Sequence, residues 1–275
     1  AAARMGCTVL LLAIDLDKVA AMPCSPSIGG TAKGQLVKEI DALGGEMARI
    51  TDQSAIQYKT LNTRKGPAVQ STRTQNDKVR YHVAMKSVVE RQPGLDLKEG
   101  MVTSLLLEND RVCGVKDRSG LEYKANAVVI AAGTFLGGRV HIGANSYSAG
   151  RAGEFAAVEL AEQLRALGFS VGRMKTGTPP RLAKSSIDFT RFEQQMPTTA
   201  PRPFSFSNTD IALPQLPTYI GHVRKAGIDL VQNNLSCSAL YGGYITGVSA
   251  RYCPSFEDKV VRFPDKDRHQ IILEQ

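Results

Sequence analysis

The chain contains no tryptophan and four histidines, scattered at His82, His141, His222 and His269. None of them stands at zinc-type spacing from a cysteine, so a metal centre is not expected. No apolar run approaches the roughly 20 residues that a membrane-spanning helix needs. The front lacks a charged start followed by an apolar core and a cleavage site, so a secretory leader is not expected. The P-loop pattern G-x-x-x-x-G-K-[ST] is missing, which speaks against an ATPase. No serine–histidine–acid arrangement is identifiable. Five cysteines, an odd number at wide and irregular spacing, argue against a disulfide framework and for a reducing compartment.

What is present is the composition of a soluble globular protein: 275 residues, 43% hydrophobic and 22% charged. That length suits one large domain or two ordinary ones. The net charge of +8 and pI near 9.3 suit a polyanionic partner, since each phosphate neutralised releases counterions. A merely basic soluble protein would have the same balance.

The opening AAARMGCTVLLLAID reads as the tail of a helix, a stop at Gly6 and a buried strand over Thr8–Ile14, as in a βαβ unit. The G-x-G-x-x-G turn that would seat a pyrophosphate is not in front of it, so the chain is expected to start partway through a dinucleotide-binding domain. Helical spacing runs over Lys33–Gly44 and Asp77–Glu90, and again over Glu154–Leu167. Three short strands, Val102–Leu107, Val112–Val115 and Leu121–Tyr123, with polar turns between them, form a meander. The pattern is α/β. Seven of the 13 prolines fall between Pro179 and Pro217, which places a domain boundary near residue 175.

Cys24 in Pro23-Cys24-Ser25-Pro26 and Cys253 in Arg251-Tyr252-Cys253-Pro254 both sit beside prolines, and Cys24 precedes a glycine-rich loop that enters a helix. Such a setting can activate a thiol as a nucleophile. The pair is too far apart in sequence for a flavin disulfide reductase. Buried structural cysteine is the plain reading for Cys7, Cys113 and Cys237. The loop Ser27-Ile28-Gly29-Gly30-Thr31-Ala32-Lys33-Gly34 offers backbone N–H groups and Lys33 to an anion. Two basic stretches follow, one with Arg64, Lys65 and Arg73 and the other with Arg173, Lys175 and Arg181. A solvated cationic surface is the competing reading of both.

These motifs together resemble the MnmG (GidA) family. The resemblance is carried by CSPSIGGTAKGQLVKEIDALGG, NTRKGPAV, YSAGRAGE, GRMKTGTPPR, LYGGYITG and RYCPSFEDKVVRF, in order along almost the whole chain. Val128–Gly133 followed by Thr134 resembles the strand and A-x-G turn of two-dinucleotide-binding-domain flavoproteins. The resemblance implies a Rossmann-like FAD-binding domain over 1–175 with a meander insertion. It also implies part of an inserted α/β NAD-binding domain over 176–275, the whole being an internal piece of a protein about twice as long.

By the same resemblance, the activity is transfer RNA modification with FAD, NADH and methylene-tetrahydrofolate, installing an aminomethyl-type group on C5 of the wobble uridine. The partners are transfer RNA, an MnmE-type GTPase and a second copy of the protein, in a bacterial cytoplasm or a mitochondrial matrix. Cys24 and Cys253 match the family's functional cysteines, and Lys259 is a candidate orienting residue. Flavin contacts fall on Val102, Ala132, Gly133, Thr134 and Ala157, the last often serine in the family. Nicotinamide contacts fall on Ser249–Phe263, including Ala250, Arg251, Tyr252, Pro254, Ser255, Glu257 and Asp258. Gly247-Val248-Ser249-Ala250 departs there from the usual glycine–proline. Two rivals stay open: a small-molecule FAD/NADH oxidoreductase, and an RNA-binding relative without catalysis.

Overall fold

The computed structural model describes residues 1–249 and 254–274. Strand β1 (Val9–Ala13) lies parallel to β5 (Leu95–Glu99), with Leu11 opposite Leu97. Parallel neighbours require a crossover, and helix α3 (Lys78–Glu90), which packs on β5, belongs to it. The result is a Rossmann-like βαβ unit. Asp77 fixes the start of α3, its carboxylate accepting from the N–H groups of Val79 and Arg80 at 3.0 and 3.1 Å. Tyr81 is the buried residue of α3, and burial pushes its hydroxyl up to about 12.

Inserted into that crossover is a second layer. Strands β2 (Ser27–Gly29), β3 (Ala55–Leu61) and β4 (Ser71–Asn76) form an antiparallel sheet in the order β2-β4-β3. Helices α1 (Lys33–Ala42) and α2 (Met47–Ser54) pack against it. The core here joins Val37, Ala48, Ala55 and Tyr58 to Phe204, an aromatic from far downstream. Phe204 sits in a segment without regular structure, so its backbone polar groups need partners from elsewhere. Two buried carboxylates supply them. Asp52 accepts from the N–H of Phe204 at 2.6 Å and of Ser205 at 2.9 Å, from Asn208 Nδ2 at 2.8 Å and from the Tyr58 hydroxyl. Asp41 accepts from Ser205 Oγ and Phe206 N–H, both at 2.7 Å. Burial, and then the bond to Asp52, push the Tyr58 hydroxyl far up.

Beyond β5, strands β6 (Val102–Glu108), β7 (Arg111–Asp117) and β8 (Glu122–Lys124) form the expected antiparallel meander. A hairpin of β9 (Arg139–Ile142) and β10 (Asn145–Ser148) follows, then helix α4 (Val158–Ala166), which packs on β6 through Leu160 and Leu164. The short strand β11 (Met174–Lys175) precedes an irregular segment, and β12 (Glu193–Gln195) and β13 (Thr218–Arg224) begin a sheet completed by β15 (Arg268–Leu273). Helix α5 (Lys225–Asn233), strand β14 (Val248–Ser249) and helix α6 (Phe256–Arg262) lie between β13 and β15.

Two local expectations are corrected. The run Val128–Gly133 forms no ladder, and Val129 is 89% exposed. Apolar composition favours a strand but cannot supply the neighbour whose N–H and C=O groups define one. Helix α4 starts at Val158 rather than near Glu154. The residues before it are held in a turn by the Arg151–Glu154 ion pair, with contacts at 2.8 Å, and Ala157 N–H is bonded to the Phe135 carbonyl. Among the described residues no helix is long and apolar enough to cross a membrane.

Removing the Asp52 carboxylate by Asp52→Ala strands several buried donors, so we expect a loss of about 3–5 kcal/mol in urea unfolding. A Cβ at Gly34 would lie 2.3 Å from Ser71 Oγ and 2.8 Å from the Thr72 carbonyl on β4. Gly34→Ala should therefore destabilise by about 1–3 kcal/mol, whereas the same change at open Gly66 should be far milder in the same assay.

Candidate functional site

Two segments that lie far apart in sequence close around Cys24. The residue is half-buried on the loop leading into β2, and its Sγ donates to the Gly177 carbonyl at 3.2 Å. Gly177 belongs to Lys175-Thr176-Gly177-Thr178-Pro179-Pro180-Arg181. The guanidinium at the end of that segment returns to the cysteine loop, with Arg181 Nη2 donating to the carbonyls of Pro23 and Cys24. Prolines flank both contacts and limit the backbone freedom of each loop. The thiol is thus positioned by main chain on one side and by a cation on the other.

Beside this lies a buried ion pair. Lys175 Nζ is 3.4 Å from Asp258 Oδ2, with the side chains 8% and 1% exposed. Asp258 also receives the Tyr241 hydroxyl at 2.9 Å and the Ser255 N–H and Oγ at 3.2 Å, while Ser255 caps α6 in a reciprocal capping box. Burial opposes ionisation of Asp258. The Tyr241 hydroxyl, the Ser255 N–H and Lys175 outweigh it and hold the carboxyl below its ordinary range. Strand β11 pairs in parallel with β14, Lys175 opposite Ser249. Ala250, Arg251, Tyr252 and Cys253 lie outside the described residues, flanked by Ser249 and by half-buried Pro254. Glu257 accepts from Ser238 Oγ at 3.3 Å and lines an open cavity of about 650 Å³ with Asn234 and Leu230. Lys259 turns the other way, donating to the Gln270 carbonyl at 3.1 Å on β15.

The glycine loop and the first basic stretch also meet. Asn62 Nδ2 reaches Thr31 Oγ1 at 3.3 Å and the Val69 carbonyl at 2.9 Å, which brings the turn bearing exposed Arg64 and Lys65 to the N-terminal end of α1, where exposed Lys33 stands. Gly29 and Gly34 are required for packing, because a Cβ at either would strike the Thr72 carbonyl. Arg73 instead faces inward, with Nη2 2.6 Å from Glu274 Oε1, and Glu274 also accepts from Ser25 Oγ at 2.7 Å. This Arg73–Glu274–Ser25 link, which ties the C-terminal strand to the cysteine loop, has no signal in the local sequence. Arg173 donates to the Gly137 carbonyl at 3.3 Å.

For a flavin, the relevant loop is Ala132-Gly133-Thr134. Gly133 has φ +53° with nothing within 4 Å of a would-be Cβ, so space over the backbone there is open. Thr134 Oγ1 anchors the loop to the Gly150 carbonyl at 2.8 Å. Ala157 is 5% exposed, and its N–H and C=O are bonded to Phe135 and Gly137. Val102 packs against the same apolar cluster. An open, glycine-floored loop above a rigid apolar base fits a flat cofactor.

The pair at Lys175 generates a test. Asp258→Asn leaves a buried ammonium without its counter-charge and should lower stability by about 3 kcal/mol at neutral pH. Because the folded carboxyl is held below 3.8, that stability is present above pH ~4 and lost as pH falls through the lowered value. Acid unfolding curves of wild type and variant should begin to approach each other near pH ~4 and meet once the pH has fallen through that lowered value.

The profile of glucose inhibited division protein A matches residues 1–275. The chain is 60% identical over 274 residues to the tRNA uridine 5-carboxymethylaminomethyl modification enzyme MnmG of Syntrophobacter fumaroxidans, with 100% of this chain and 43% of that protein covered. It is 54% identical to the MnmG of Geobacter sulfurreducens, of which it covers 44%. A crystal structure of Aquifex aeolicus GidA superposes with a TM-score of 0.91 at 45% identity, over 100% of this chain and 47% of that one. A second crystal form gives 0.89 at 42%, over 100% and 44%. The chain thus spans less than half the length of these relatives, and its Rossmann-like α/β class is theirs. It belongs to the glucose inhibited division protein A (GidA, MnmG) family.

Proposed function

We propose that this chain is part of a flavin-dependent enzyme that modifies the wobble uridine of transfer RNA, with Cys24 and Cys253 as its working thiols. The observation that carries the reading is the closure of the TGTPPR loop on Cys24, Sγ to the Gly177 carbonyl at 3.2 Å with Arg181 on the same loop. A nucleophile that must act on a defined carbon has to be held by rigid surroundings, and two proline-bounded loops do this.

In the proposed chemistry a thiolate adds to C6 of the uracil ring, and the C5–C6 π electrons make C5 nucleophilic. C5 then bonds to the methylene carbon of the folate donor in its iminium form, whose carbon–nitrogen π electrons pass to the folate nitrogen. Loss of the C5 proton restores the double bond and expels the thiolate. One of the two cysteines is the nucleophile, and the other serves as a supporting acid or base. Lys259 has an orienting role. FAD, held by Ala132, Gly133 and Thr134 with Val102 and Ala157, supplies redox chemistry when bound. NADH is the reductant, contacted along 249–263 by Ser249, Ala250, Arg251, Tyr252, Pro254, Ser255 and Glu257, with buried Asp258 fixing the start of α6 behind them.

The carbon donor is methylene-tetrahydrofolate, and the finished group is of the carboxymethylaminomethyl type. The enzyme works as a homodimer with an MnmE-type GTPase, in the cytoplasm of a bacterium or in a mitochondrial matrix. Lys33, Arg64, Lys65, Arg73, Arg173, Lys175 and Arg181 form or support the RNA-facing side, consistent with the net charge of +8. The proposed organisation is a flavin-binding unit over 1–175 and a nicotinamide-binding unit from 176 onward.

Cys24→Ser and Cys253→Ser should each lower uridine modification by orders of magnitude, measured by mass spectrometry of digested transfer RNA, while binding of that RNA is retained. Full modification by both variants would overturn the assignment.

A further inference from the structure

A second, separate feature concerns a cavity of about 300 Å³ between α1, the outer strand β3 and the irregular segment at 198–203. Its wall carries three cations, Lys38, Lys59 and Arg202, and three hydroxyls, Thr60, Thr72 and Thr198. No carboxylate among the described residues lines it. Thr60 and Thr72 are directly paired across β3 and β4, so the two hydroxyls share a face of the sheet. The segment is fastened along β3, with Thr198 N–H donating to the Tyr58 carbonyl at 2.9 Å and Thr60 N–H to Thr198 Oγ1 at 3.0 Å. Ala200, on the cavity wall, is held at φ +46°, a left-handed conformation that a residue with a Cβ adopts rarely.

The donors here are under-used. Among the described residues Lys38 Nζ bonds only the Pro203 carbonyl, at 3.3 Å, besides lying over the rings of Phe204 and Phe206. Lys59 Nζ bonds the Met196 carbonyl at 3.0 Å. Each ammonium has three N–H groups and each guanidinium five, and Arg202 makes no ion pair or side-chain hydrogen bond among the described residues. Burial pulls the Lys38 ammonium down, opposed by Asp52 and Asp41. Those two carboxylates are already engaged by Tyr58 and by the 204–208 segment. An anion with several acceptor oxygens would use the remaining donors at once, and a phosphate group has the charge and the number of oxygens to do so.

We infer that this cavity is a phosphate-binding site, built from Lys38, Lys59, Arg202 and the hydroxyls of Thr60 and Thr72. The phosphate is either a backbone group of the bound RNA, in which case the inference rests on the functional reading above, or a free phosphate anion.

The test uses Arg202→Gln, Lys59→Gln and the double variant in the full-length protein, with thermal melts to check that each folds. Inorganic phosphate is titrated by phosphorus-31 NMR, and transfer RNA binding is followed by anisotropy from low to high salt. Wild type should broaden the phosphate signal and the double variant should not. For an RNA phosphate, the slope of log K against log salt should fall by about one per cation removed. Loss of phosphate broadening with an unchanged RNA slope supports the site and assigns it to the free anion. If wild-type protein fails to bind transfer RNA, the functional reading falls and the phosphate titration alone decides the site. No difference between wild type and double variant in either measurement overturns the inference.

Discussion

The buried carboxylates Asp41 and Asp52 hold together parts of the chain that lie far apart in sequence. Two helices contribute them, and together they receive three backbone N–H groups and the side chains of Tyr58, Ser205 and Asn208. A carboxylate in a nonpolar interior is tolerated only when its oxygens are filled. An irregular segment can be buried only when its N–H groups find acceptors. Each satisfies the other's requirement. Phe204 then closes the core over Val37, Ala48 and Tyr58, and the 198–203 segment that precedes it is laid along β3. The cationic cavity and the shape of this whole layer follow from that arrangement.

The same logic recurs around Cys24 on a smaller scale. Lys175 and Asp258 are both nearly inaccessible, and Tyr241, Ser255 and Arg262 also engage the carboxylate. The pair sits where β11 lies beside β14 and where α6 begins, and so links β11 to the start of α6. Two residues beyond Lys175, Gly177 presents its carbonyl to Cys24. The sulfur's partner is therefore only two peptide units from the ion pair.

The parts of the structure legible in the sequence are those fixed by neighbours in sequence. Helix α3 starts at Asp77 because an aspartate there can cap it, and the β6-β7-β8 meander follows from alternating apolar residues and polar turns. The meeting of the cysteine loop with the TGTPPR segment was visible only as two motifs of one family, with no indication of contact. Less legible still were interactions set by distance along the chain. Asp52 reads as an ordinary helix residue until Phe204 and Ser205 arrive from more than 150 positions away. The Arg73–Glu274 pair, at 2.6 Å, places inward a residue that composition alone assigns to a basic surface. The run at 128–133 failed as a strand for the converse reason: propensity was present and a pairing partner was not.

The hydrogen bond at Cys24 bears on how a thiol there could act. A carbonyl can only accept, so the sulfur that donates to Gly177 carries its proton in this arrangement. The nucleophile is the thiolate. A reaction at Cys24 therefore requires that proton to leave and the Gly177 carbonyl to lose its partner. Arg181 stands beside the cysteine loop, its guanidinium bonded to the Pro23 and Cys24 carbonyls and itself exposed. An incoming phosphate competes for the same N–H groups.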